Sequence, residues 1–584
     1  MWFPLFRNEH AMPQIDPDEE FDLIVVGSGN GACGFLGECL NHVPADYRVL
    51  VLEEGNNFFF TSDITHQNGW SKSYANGISF TLHNATTPDG RSILSGRART
   101  LGGGGSINYT MIHESSDWLV KQAGHDVAYW NECKAALNRS LERPDPLKQG
   151  YQTPFADYIA VNAQKAGYMP PNKDNMIENI PSISSSLSSK KQLYFFPTQF
   201  DQFGSRTNSG VSIVKWQQIK YRWNTKVIGL VMDKKAGTTE VACKGVETRS
   251  LEGVETTYKV KKDTGRVVLC GGSVSPRILL NTKELASNEK IGQRVNDHIC
   301  MPLAIYAVDK EKAPVVGATD IYESLFAYTL IQHTSECRSD KEEAETTEVG
   351  IDFFSGELKR LIYLISSLYL CFLPFNGFKS FMGRHPIVYT YLSNAIRMIL
   401  TAIIALIEAL GGRFLPFLPS SIIITTALVK FNPSKEGYYD RVGDKIILRF
   451  FDDETDFTVA EEAINQNLAF LESNGQKPPF LIRVLFQYLT KAPYKRGPEV
   501  KRYVRHFAKK TLLSEQHLAG GCLLGDVVDK GLEDSSKTGL VFGTSNLHVA
   551  DLSIVSLPRV STQMTAYLMG HHVAKQLYST KKKN

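Results

Sequence analysis

A short apolar run followed at once by a glycine-rich turn lies near the start of the chain, in residues 21–34 (FDLIVVGSGNGACG). Residues 23–26 are rich in β-branched side chains, which is typical of a parallel strand buried on both faces. Gly27, Gly29 and Ala32 then have the spacing at which the first residue permits a tight turn, the second permits close approach to a pyrophosphate, and the small third residue permits tight packing of helix on strand. The stretch therefore predicts a dinucleotide-binding unit with the phosphates at a helix N-terminus.

A second strand with an acidic end follows the predicted helix. Residues 48–52 (RVLVL) form an apolar run, and Glu53 comes directly after it. A carboxylate at this place can accept hydrogen bonds from a ribose diol. A glycine triplet alone matches many ordinary turns, but strand, turn, helix, strand and acid in this order favour a nucleotide site. The pattern does not identify the dinucleotide.

Length and composition limit the other classes of protein. A chain of 584 residues is long enough for two or more domains. Its net charge of +3 is small for this length, so we expect no nucleic-acid partner. The nine cysteines are scattered and form no CxxC pair, which predicts reduced thiols and no metal site. The first twenty residues have no basic start and no long apolar run, so we expect an intracellular protein that is not secreted.

Four consecutive glycines occupy residues 102–105, within GRARTLGGGGSIN at 96–108. Glycine loses more conformational entropy on folding than other residues, so an ordered run of four suggests that backbone must approach something bulky. A flexible linker is the alternative. The apolar residues Leu101 and Ile107 beside the run argue against it.

Together, GSGNGACG, the strand end LEEG and GRARTLGGGGSIN resemble the glucose–methanol–choline (GMC) oxidoreductase family of FAD enzymes. RVVLCGGSVSPRILL at 266–280 resembles the family's second signature region, and IGQRVNDH at 291–298 resembles the segment after it. HLAGGCLLG, VFGTSNLHVADLS and STQMTAYLMGHHVAKQL follow near the C-terminus in family order. Residues from about 120 to 200 and from 301 to 505 carry little recognisable pattern.

The resemblance implies an α/β fold with a Rossmann-like FAD-binding domain, made of a parallel sheet and an antiparallel meander, and a second α+β substrate-binding domain over an antiparallel sheet. We expect the discontinuous FAD-binding domain to comprise residues 1–115, 205–300 and 505–584. The substrate-binding domain would then comprise residues 116–204 and 301–504.

The resemblance also implies which residues contact FAD. Some relatives attach FAD covalently through a histidine at the position of Ile107, so we expect non-covalent FAD here. In the family, the meander packs over the FAD adenine. The expected FAD contacts are Gly27, Gly29, Ala32, Glu53, Gly103, Gly104, Ser106, Asn108, Val227, Gly271 and Asp551.

Alcohol oxidation requires a base for the hydroxyl proton, and histidine suits this task because its pKa lies near working pH. His517 stands where the family keeps its active-site histidine, with His571 and His572 as the next candidates. The family usually carries Asn or His at a second active-site position. Alignment on the family's threonine places Ser561 there, and a shift of one residue selects Thr562 instead.

An apolar region covers residues 357–430, where 361–375, 398–407 and 414–429 are uncharged blocks that we expect to be helical. The first block would span about 22 Å as a helix, less than the roughly 30 Å of a bilayer core. The charges between the blocks are mostly basic, which suits contact with an anionic lipid surface. They are Lys379, Arg384, Arg397, Glu408 and Arg413. An ordinary core or a dimer interface remains the alternative.

The leading interpretation is FAD-dependent oxidation of a hydrophobic alcohol, such as a long-chain fatty alcohol or a sterol, with oxygen or another electron acceptor. The GSGNGA turn resembles that of cholesterol oxidases, and the apolar region agrees with a lipid-like substrate and a membrane-associated protein. One alternative is a fatty acid photodecarboxylase, although those enzymes carry a cysteine at the position of His517. Another is a catalytically inactive membrane-associated flavoprotein, which Ser561 favours.

Overall fold

The computed structural model of the protein describes residues 15–16, 18–57, 80–108, 116–140, 161, 164–168, 192–195, 208–234, 240–309, 325–333, 345–357, 386–410, 422–442, 444–473, 493, 495–509, 512–558 and 561–578. In chain order, the strands within these residues are β1 (Glu20–Phe21), β2 (Leu23–Val26), β3 (Val49–Leu52), β4 (Phe80–Leu82), β5 (Ala85–Thr86), β6 (Ser92–Ile93), β7 (Gly96–Ala98), β8 (Gln192–Phe195), β9 (Ile219–Arg222), β10 (Thr225–Lys234), β11 (Val241–Ser250), β12 (Glu255–Val260), β13 (Arg266–Leu269), β14 (Gln293–Asn296), β15 (Ile299–Asp309), β16 (Leu325–His333), β17 (Glu345–Glu357), β18 (Ile422–Phe431), β19 (Gly437–Tyr439), β20 (Ile446–Ile447), β21 (Leu513–Ser514), β22 (Ala519–Gly520) and β23 (Leu547–Val549).

The α-helices within the same residues are α1 (Asn30–Cys39), α2 (Ser116–Ala123), α3 (Val127–Ser140), α4 (Ser209–Lys215), α5 (Ser275–Leu280), α6 (Pro386–Leu410), α7 (Glu454–Ser473), α8 (Pro498–Tyr503) and α9 (Thr562–Tyr578). A π-helical turn, Val504–Ala508, continues α8. Short 3₁₀ turns occupy Gly103–Ser106, Gly272–Val274, Lys283–Leu285, Ser535–Lys537 and Leu552–Ile554.

A five-stranded parallel sheet forms the centre of the first core, in the order β23-β13-β2-β3-β9. Leu23 of β2 pairs with Val49 of β3 and with Arg266 of β13. Every residue of β2 and β3 is buried, which explains why both strands are continuous apolar runs in the sequence. Because α1 connects β2 to β3, the predicted strand–turn–helix–strand unit is confirmed.

An antiparallel meander of β10, β11 and β12 lies beside this sheet, with β1 added parallel to β12. The backbone N–H of Thr225, at the start of β10, donates to the Glu53 carbonyl over 2.9 Å, so the meander is joined to the end of β3. Val227 lies on this first part of β10. The expected combination of a parallel sheet and an antiparallel meander is confirmed.

A six-stranded antiparallel sheet organises the second core, in the order β21-β15-β18-β17-β16-β8. Val429 and Phe431 of β18 share this apolar core with Val459 and Ile464 of α7. An antiparallel sheet covered by a helix is the arrangement that we expected for the second, α+β part of the molecule.

The third uncharged block, residues 414–429, ends in a strand, and the expectation of a helix is wrong for residues 422–429. Strand β18 pairs with β15 on one side and β17 on the other, with Val429 opposite both Met301 and Ile351. Its sequence IIITTALVKF is rich in β-branched residues, which pack well on a pleated surface. The central position of β18 in a sheet therefore explains why residues 422–429 are apolar, and no membrane contact is needed to explain it. The first block, 361–375, lies outside the described residues.

The second uncharged block lies within α6, a helix of 25 residues that carries exposed apolar side chains. Tyr391 and Met398 are 73% and 70% exposed, and Ile399 and Leu406 are 60% and 57% exposed. With 3.6 residues per turn, these positions form one stripe along the helix. Among the helices that the structure describes, none is long and apolar enough to cross a membrane.

Two groups of elements cross the expected domain boundaries. Helices α2 and α3, which we assigned to the substrate-binding domain, contribute Trp118 and Trp130 to the first core together with α1 and α9. A mixed sheet in the order β22-β14-β19-β20-β5-β6 joins segments that we assigned to different domains. The segment 116–140 therefore packs with the parallel-sheet core, because its apolar face covers α9.

Helices α1 and α9 meet through backbone atoms, and two glycines permit this contact. A Cβ atom on Gly34 would lie 2.1 Å from the Tyr567 carbonyl oxygen. A Cβ atom on Gly570 would lie 1.9 Å from the Gly31 carbonyl oxygen. Since real Cβ atoms do not approach so closely, the two helices can cross here only without side chains. This crossing fixes the C-terminal helix on the N-terminal glycine turn.

We predict that Gly34→Ala destabilises the protein by roughly 1–3 kcal/mol, because the added methyl group forces α1 and α9 apart. The matched control is Gly229→Ala in β10, where the nearest atom to the new Cβ, at 2.8 Å, is the movable carboxylate end of Glu247. Denaturant unfolding of both variants gives the comparison. Equal stability of Gly34→Ala and the control would contradict the close helix crossing.

Candidate active site

One cavity of about 270 Å³ opens at the carboxyl ends of β2, β3 and β13. It is lined by the glycine turn after β2, by the ends of β3 and β10, and by the glycine-rich segment before Ser106. Its other wall comes from the chain around His517 and from the first turn of α9. Except for Ala32, Ser106 and the further candidates His571 and His572, every residue that the sequence analysis assigned to the site lines this cavity.

The glycines after β2 have separate tasks. Gly27 has a φ of +98°, and a Cβ there would lie 2.5 Å from the Cys270 carbonyl oxygen. At Gly31 a Cβ would lie 2.5 Å from the Ala550 carbonyl oxygen. Both residues therefore permit tight packing of the turn against neighbouring strands. At Gly29 the nearest atom to a Cβ is Gly103 Cα at 3.9 Å, so this position faces the open cavity.

The glycine-rich segment forms the facing wall. Gly103 has a φ of +56°, and a Cβ there would lie 2.9 Å from Gly29 Cα. The two glycine segments thus approach each other through bare backbone. Asn108, just after the segment, donates from Nδ2 to Gln563 Oε1 over 2.7 Å. This bond joins the segment to the first turn of α9.

Glu53 lines the cavity and also organises the glycine turn. Its Oε2 atom accepts the Ser28 hydroxyl at 2.6 Å and the Ser28 N–H at 3.2 Å, while Oε1 accepts the Gly55 N–H at 2.8 Å. The Ser28 hydroxyl in turn accepts the Gly102 N–H at 3.0 Å. Burial raises the pKa of Glu53. The carboxyl group is therefore held in place before any ligand binds.

Asp551 is the second buried acid at the cavity. Its Oδ2 atom accepts the Gly272 N–H at 2.8 Å and the Ser275 hydroxyl at 2.6 Å. Oδ1 accepts both the N–H and the hydroxyl of Ser553, at 2.8 and 2.6 Å. Burial raises the pKa of Asp551 as well. Asp551 thus fixes the turn after β13, including Gly271, against the turn after β23.

Ala32 and Ser106 do not line the cavity, so the structure does not place either for a direct ligand contact. Ala32 is fully buried in the first core. Ser106 is also buried, and its hydroxyl donates to the Leu101 carbonyl over 2.7 Å. Both residues pack beneath the segments that form the cavity wall. The neighbours Gly31 and Gly34 also make close backbone contacts, to Ala550 and to Tyr567.

His517 lines the opposite wall and is held from two sides. Its backbone N–H donates to Asp297 Oδ1 over 2.9 Å. Its side-chain Nδ1 atom lies 2.9 Å from Nδ1 of His298. Burial raises the pKa of Asp297 to about 7. Ser514 also donates its hydroxyl to Asp297, so this one carboxyl group fixes the loop that carries His517.

Of the other candidate residues, two line the cavity and two do not. Ser561 and Thr562 both line the cavity at the start of α9, so the question of which fills the second position stays open. His571 and His572 lie further along α9 and do not line the cavity. His572 Nδ1 is 2.8 Å from the Tyr129 hydroxyl, and His571 Nδ1 is 3.7 Å from a Glu38 oxygen. Neither histidine is therefore placed to act on a substrate.

Among the polar residues at the site that the sequence analysis missed are Lys430 and Gln563, which line the cavity, and His298, which contacts His517. His298 ends a segment that the family resemblance had marked, but nothing in the sequence pairs it with His517. Lys430 is buried and lines the cavity. Its signal was a single charge within the apolar run of β18. Among the residues that the structure describes, no cluster of His, Cys, Asp and Glu could hold a metal ion.

The arrangement suits a dinucleotide and a proton-transfer reaction. Bare backbone at Gly29 and Gly103 leaves room for a pyrophosphate beside the N-terminus of α1, where N–H groups and the helix dipole favour anions. Glu53 offers carboxylate oxygens for a ribose. On the other wall, a histidine held by two neighbours can exchange a proton.

Comparison with known sequences identifies the family. The N-terminal model of the GMC oxidoreductases matches residues 21–300, and the C-terminal model of the same family matches residues 439–570. Together the two matches span most of the chain. Sinalpyl alcohol oxidase Nec3 from Nesocodon mauritianus is 22% identical over 97% of this chain and 90% of its own length.

Solved structures share the fold. A variant of the formate oxidase from Aspergillus oryzae RIB40 aligns with a TM-score of 0.61 and 16% identity over 97% of this chain and all of its own. An FAD-dependent oxidoreductase from Chaetomium thermophilum aligns with a TM-score of 0.60 and 15% identity over 96% of this chain and all of its own. The chain therefore belongs to the GMC oxidoreductase family, and it is an FAD-dependent oxidoreductase that acts on CH–OH groups.

Proposed function

We propose that the protein oxidises a hydrophobic alcohol with non-covalently bound FAD and with His517 as the base. The observation that carries the proposal is the convergence of His517 and the glycine turn on one cavity. The glycine turn comes from the N-terminal part of the chain and His517 from the C-terminal part, so the fold brings a nucleotide-binding element and a proton acceptor together.

The FAD contacts that we propose are Gly29, Gly103 and Gly104 for the pyrophosphate, with Glu53 for the ribose. Val227, on β10, lines the cavity next to Glu53 and suits the adenine end. Gly271 and Asp551 line it beside the turn after β13, and Asn108 lines it at the glycine-rich segment. Ile107 is buried in the wall and has no nucleophilic atom, which supports non-covalent binding.

When bound, FAD supplies the two-electron acceptor that takes a hydride from the alcohol carbon. The hydroxyl proton goes to the imidazole of His517, so the alcohol loses one hydride and one proton and becomes a carbonyl. Asp297 keeps His517 in place through its backbone N–H. Ser561 can position the hydroxyl by a hydrogen bond, but a serine cannot share the role of base at neutral pH.

A hydrophobic substrate is supported by the apolar part of the cavity wall, which includes Phe80, Ile107 and Leu518. A long-chain fatty alcohol or a sterol fits this chemistry. The alcohol oxidase among the relatives supports an alcohol substrate. The oxidant that would accept the electrons from bound FAD would be molecular oxygen or another electron acceptor.

We predict that Gly29→Val folds but loses FAD. The backbone at Gly29 has ordinary angles, φ −73° and ψ −169°, so valine introduces no backbone strain, and its methyl groups project toward Gly103 where the pyrophosphate would bind. The measurement is the flavin absorbance of the purified variant and of the supernatant after mild denaturation. The parent should release free FAD. A folded Gly29→Val variant with full flavin content would contradict this assignment.

We predict that His517→Ala lowers the rate of flavin reduction by about 10²- to 10⁴-fold, because it removes a general base. Ser561→Ala removes one neutral hydrogen bond and should cost only about 2- to 13-fold. Ser561→Asn, which introduces the family's usual residue, should be tolerated or faster. Anaerobic stopped-flow of the reductive half-reaction gives these rates without a contribution from the electron acceptor. If His517→Ala matches the parent while Ser561→Ala is slow, the two roles are misassigned.

We also propose that α6 contacts a membrane surface. Its exposed stripe contains Tyr391, Met398, Ile399 and Leu406, and water contact with four large apolar side chains along one helix is unfavourable. The nearest charges in the sequence on either side of the helix are Arg384 and Arg413. Basic residues that flank an apolar stripe suit a helix lying in an anionic lipid interface.

The parent protein should sediment with vesicles, and more strongly when phosphatidylserine is added to phosphatidylcholine. The double variant Met398→Glu with Ile399→Glu should stay in the supernatant, because carboxylates on the stripe oppose insertion. The matched control is Leu251→Glu with Val254→Glu, at two residues of the β11–β12 turn that are 58% and 61% exposed, and it should sediment like the parent. If the parent stays in the supernatant with both kinds of vesicle, the stripe does not bind lipid.

A further inference from the structure

The contact between His298 and His517 determines which ring nitrogen of each histidine carries a proton. Their Nδ1 atoms lie 2.9 Å apart, and the ring planes are 81° apart. A hydrogen bond between two Nδ1 atoms holds a single proton. When both rings are neutral, one of them is therefore protonated on Nδ1 and the other on Nε2. The two arrangements have opposite consequences, because only one leaves His517 with a basic Nε2 atom.

The surroundings of His298 select one arrangement. Burial, with the nearby Lys430, lowers the pKa of His298 to about 3, so its ring is neutral at working pH and carries one proton. The Pro558 carbonyl and the Asn432 side chain act on His298 as hydrogen-bond acceptors, which favours a proton on its ring. An acceptor cannot donate, so the ring nitrogen that faces it has to hold the proton.

That nitrogen is Nε2, because Nδ1 is already engaged with His517. Asn432 donates from Nδ2 to the Leu557 carbonyl over 3.4 Å, so Oδ1 is the amide atom that remains to accept a hydrogen bond. Within the described residues, His298 Nε2 and Asn432 Oδ1 are two buried atoms without another hydrogen bond of standard geometry. A donor and an acceptor that both lack a partner complement each other.

We propose that His298 is a positioning residue that fixes the tautomer of His517. His298 holds its proton on Nε2 and accepts the Nδ1–H of His517 with its own Nδ1, so the remaining nitrogen of His517, Nε2, is the atom that takes the substrate proton. A neutral imidazole thus has the role that a buried carboxylate has in other histidine-based sites, where it orients the ring and selects its tautomer. This inference rests on the proposed role of His517.

The charged groups around the pair agree with this assignment. Lys430, on β18, carries a positive charge that disfavours protonation of the neutral His298 ring and lowers its pKa. Asp297 precedes His298 and binds the backbone of His517, and Glu515 lies two residues before His517 on the cavity wall. After proton transfer the positive charge therefore stays on His517, and its Nδ1–H remains bonded to a neutral acceptor.

The kinetic test compares His298→Ala with His298→Asn by anaerobic stopped-flow over a range of pH. Loss of the acceptor should slow flavin reduction about 10- to 100-fold, because the bond strengthens as His517 becomes charged. It should also move the acidic limb of the profile to lower pH, since the charged form of His517 loses its acceptor. In His298→Asn an amide oxygen can take the place of Nδ1, and both the rate and the limb should return toward the parent.

The control variant is His548→Ala, at a buried histidine of β23 that does not line the cavity. Its pH profile should have the same acidic limb as that of the parent. Equal loss in His298→Ala and His298→Asn without a shift of the limb would reduce His298 to a structural residue and overturn the proposal. The proposal would also be overturned if His298→Ala kept the parent's rate of flavin reduction and the parent's acidic limb.

A second measurement needs no substrate. Nitrogen-15 shifts of labelled histidine distinguish Nδ1–H from Nε2–H, and His517 is assigned by the signal that disappears in His517→Asn. The proposal predicts Nδ1–H for His517 and Nε2–H for His298 in the resting protein. The reverse pattern overturns it, even where the parent oxidises alcohols. If the predicted tautomers are found and no alcohol reduces the flavin, the proposed function fails instead.

Discussion

The backbone contact between α1 and α9 joins the two ends of the chain, and the candidate site depends on it. Gly34 and Gly570 permit the contact because neither has a side chain that would separate the helices. The crossing places the first turn of α9 beside the N-terminal glycine turn, and the bond from Asn108 to Gln563 secures that position. Residues more than five hundred positions apart thereby line one cavity. A chain that failed to form this crossing would hold neither the cofactor turn nor the start of α9 in place.

The nucleotide-binding half of the site could be predicted well from the sequence, because its determinants are local. Residues 23–34 combine a buried strand with glycines at fixed spacing, and Gly27 has a positive φ that other residues rarely adopt. Glu53 lines the cavity because it ends the neighbouring parallel strand. Ala32 was less predictable. The close helix contacts fall on Gly31 and Gly34, and only the position of α9 reveals this.

The catalytic half was harder to predict, because its contacts join segments that are far apart in the chain. His517 became a candidate base only by resemblance, and His298 is 219 residues away from it in the sequence. The buried Lys430 directly follows an uncharged block, residues 414–429, that we expected to be helical. Strand β18 carries this lysine into the cavity, and an apolar strand and an apolar helix look alike over ten residues. The pairing of β18 with β15 and β17 therefore decided both the secondary structure and the role of the residue.

Buried polar groups at the cavity are linked to one another, which gives the site a defined geometry before a ligand binds. Asp297, His298 and His517 form one group, and Glu53, Ser28 and Gly102 form another. We propose that these two groups would hold FAD and an alcohol in one cavity, where His517 would accept the hydroxyl proton and FAD would be the two-electron oxidant. The most direct test mixes the purified flavoprotein with long-chain alcohols and sterols in the dark, without oxygen, and follows the flavin absorbance. The account predicts bleaching by at least one alcohol with formation of one carbonyl product per flavin. A bound flavin that stays oxidised with every alcohol would contradict it.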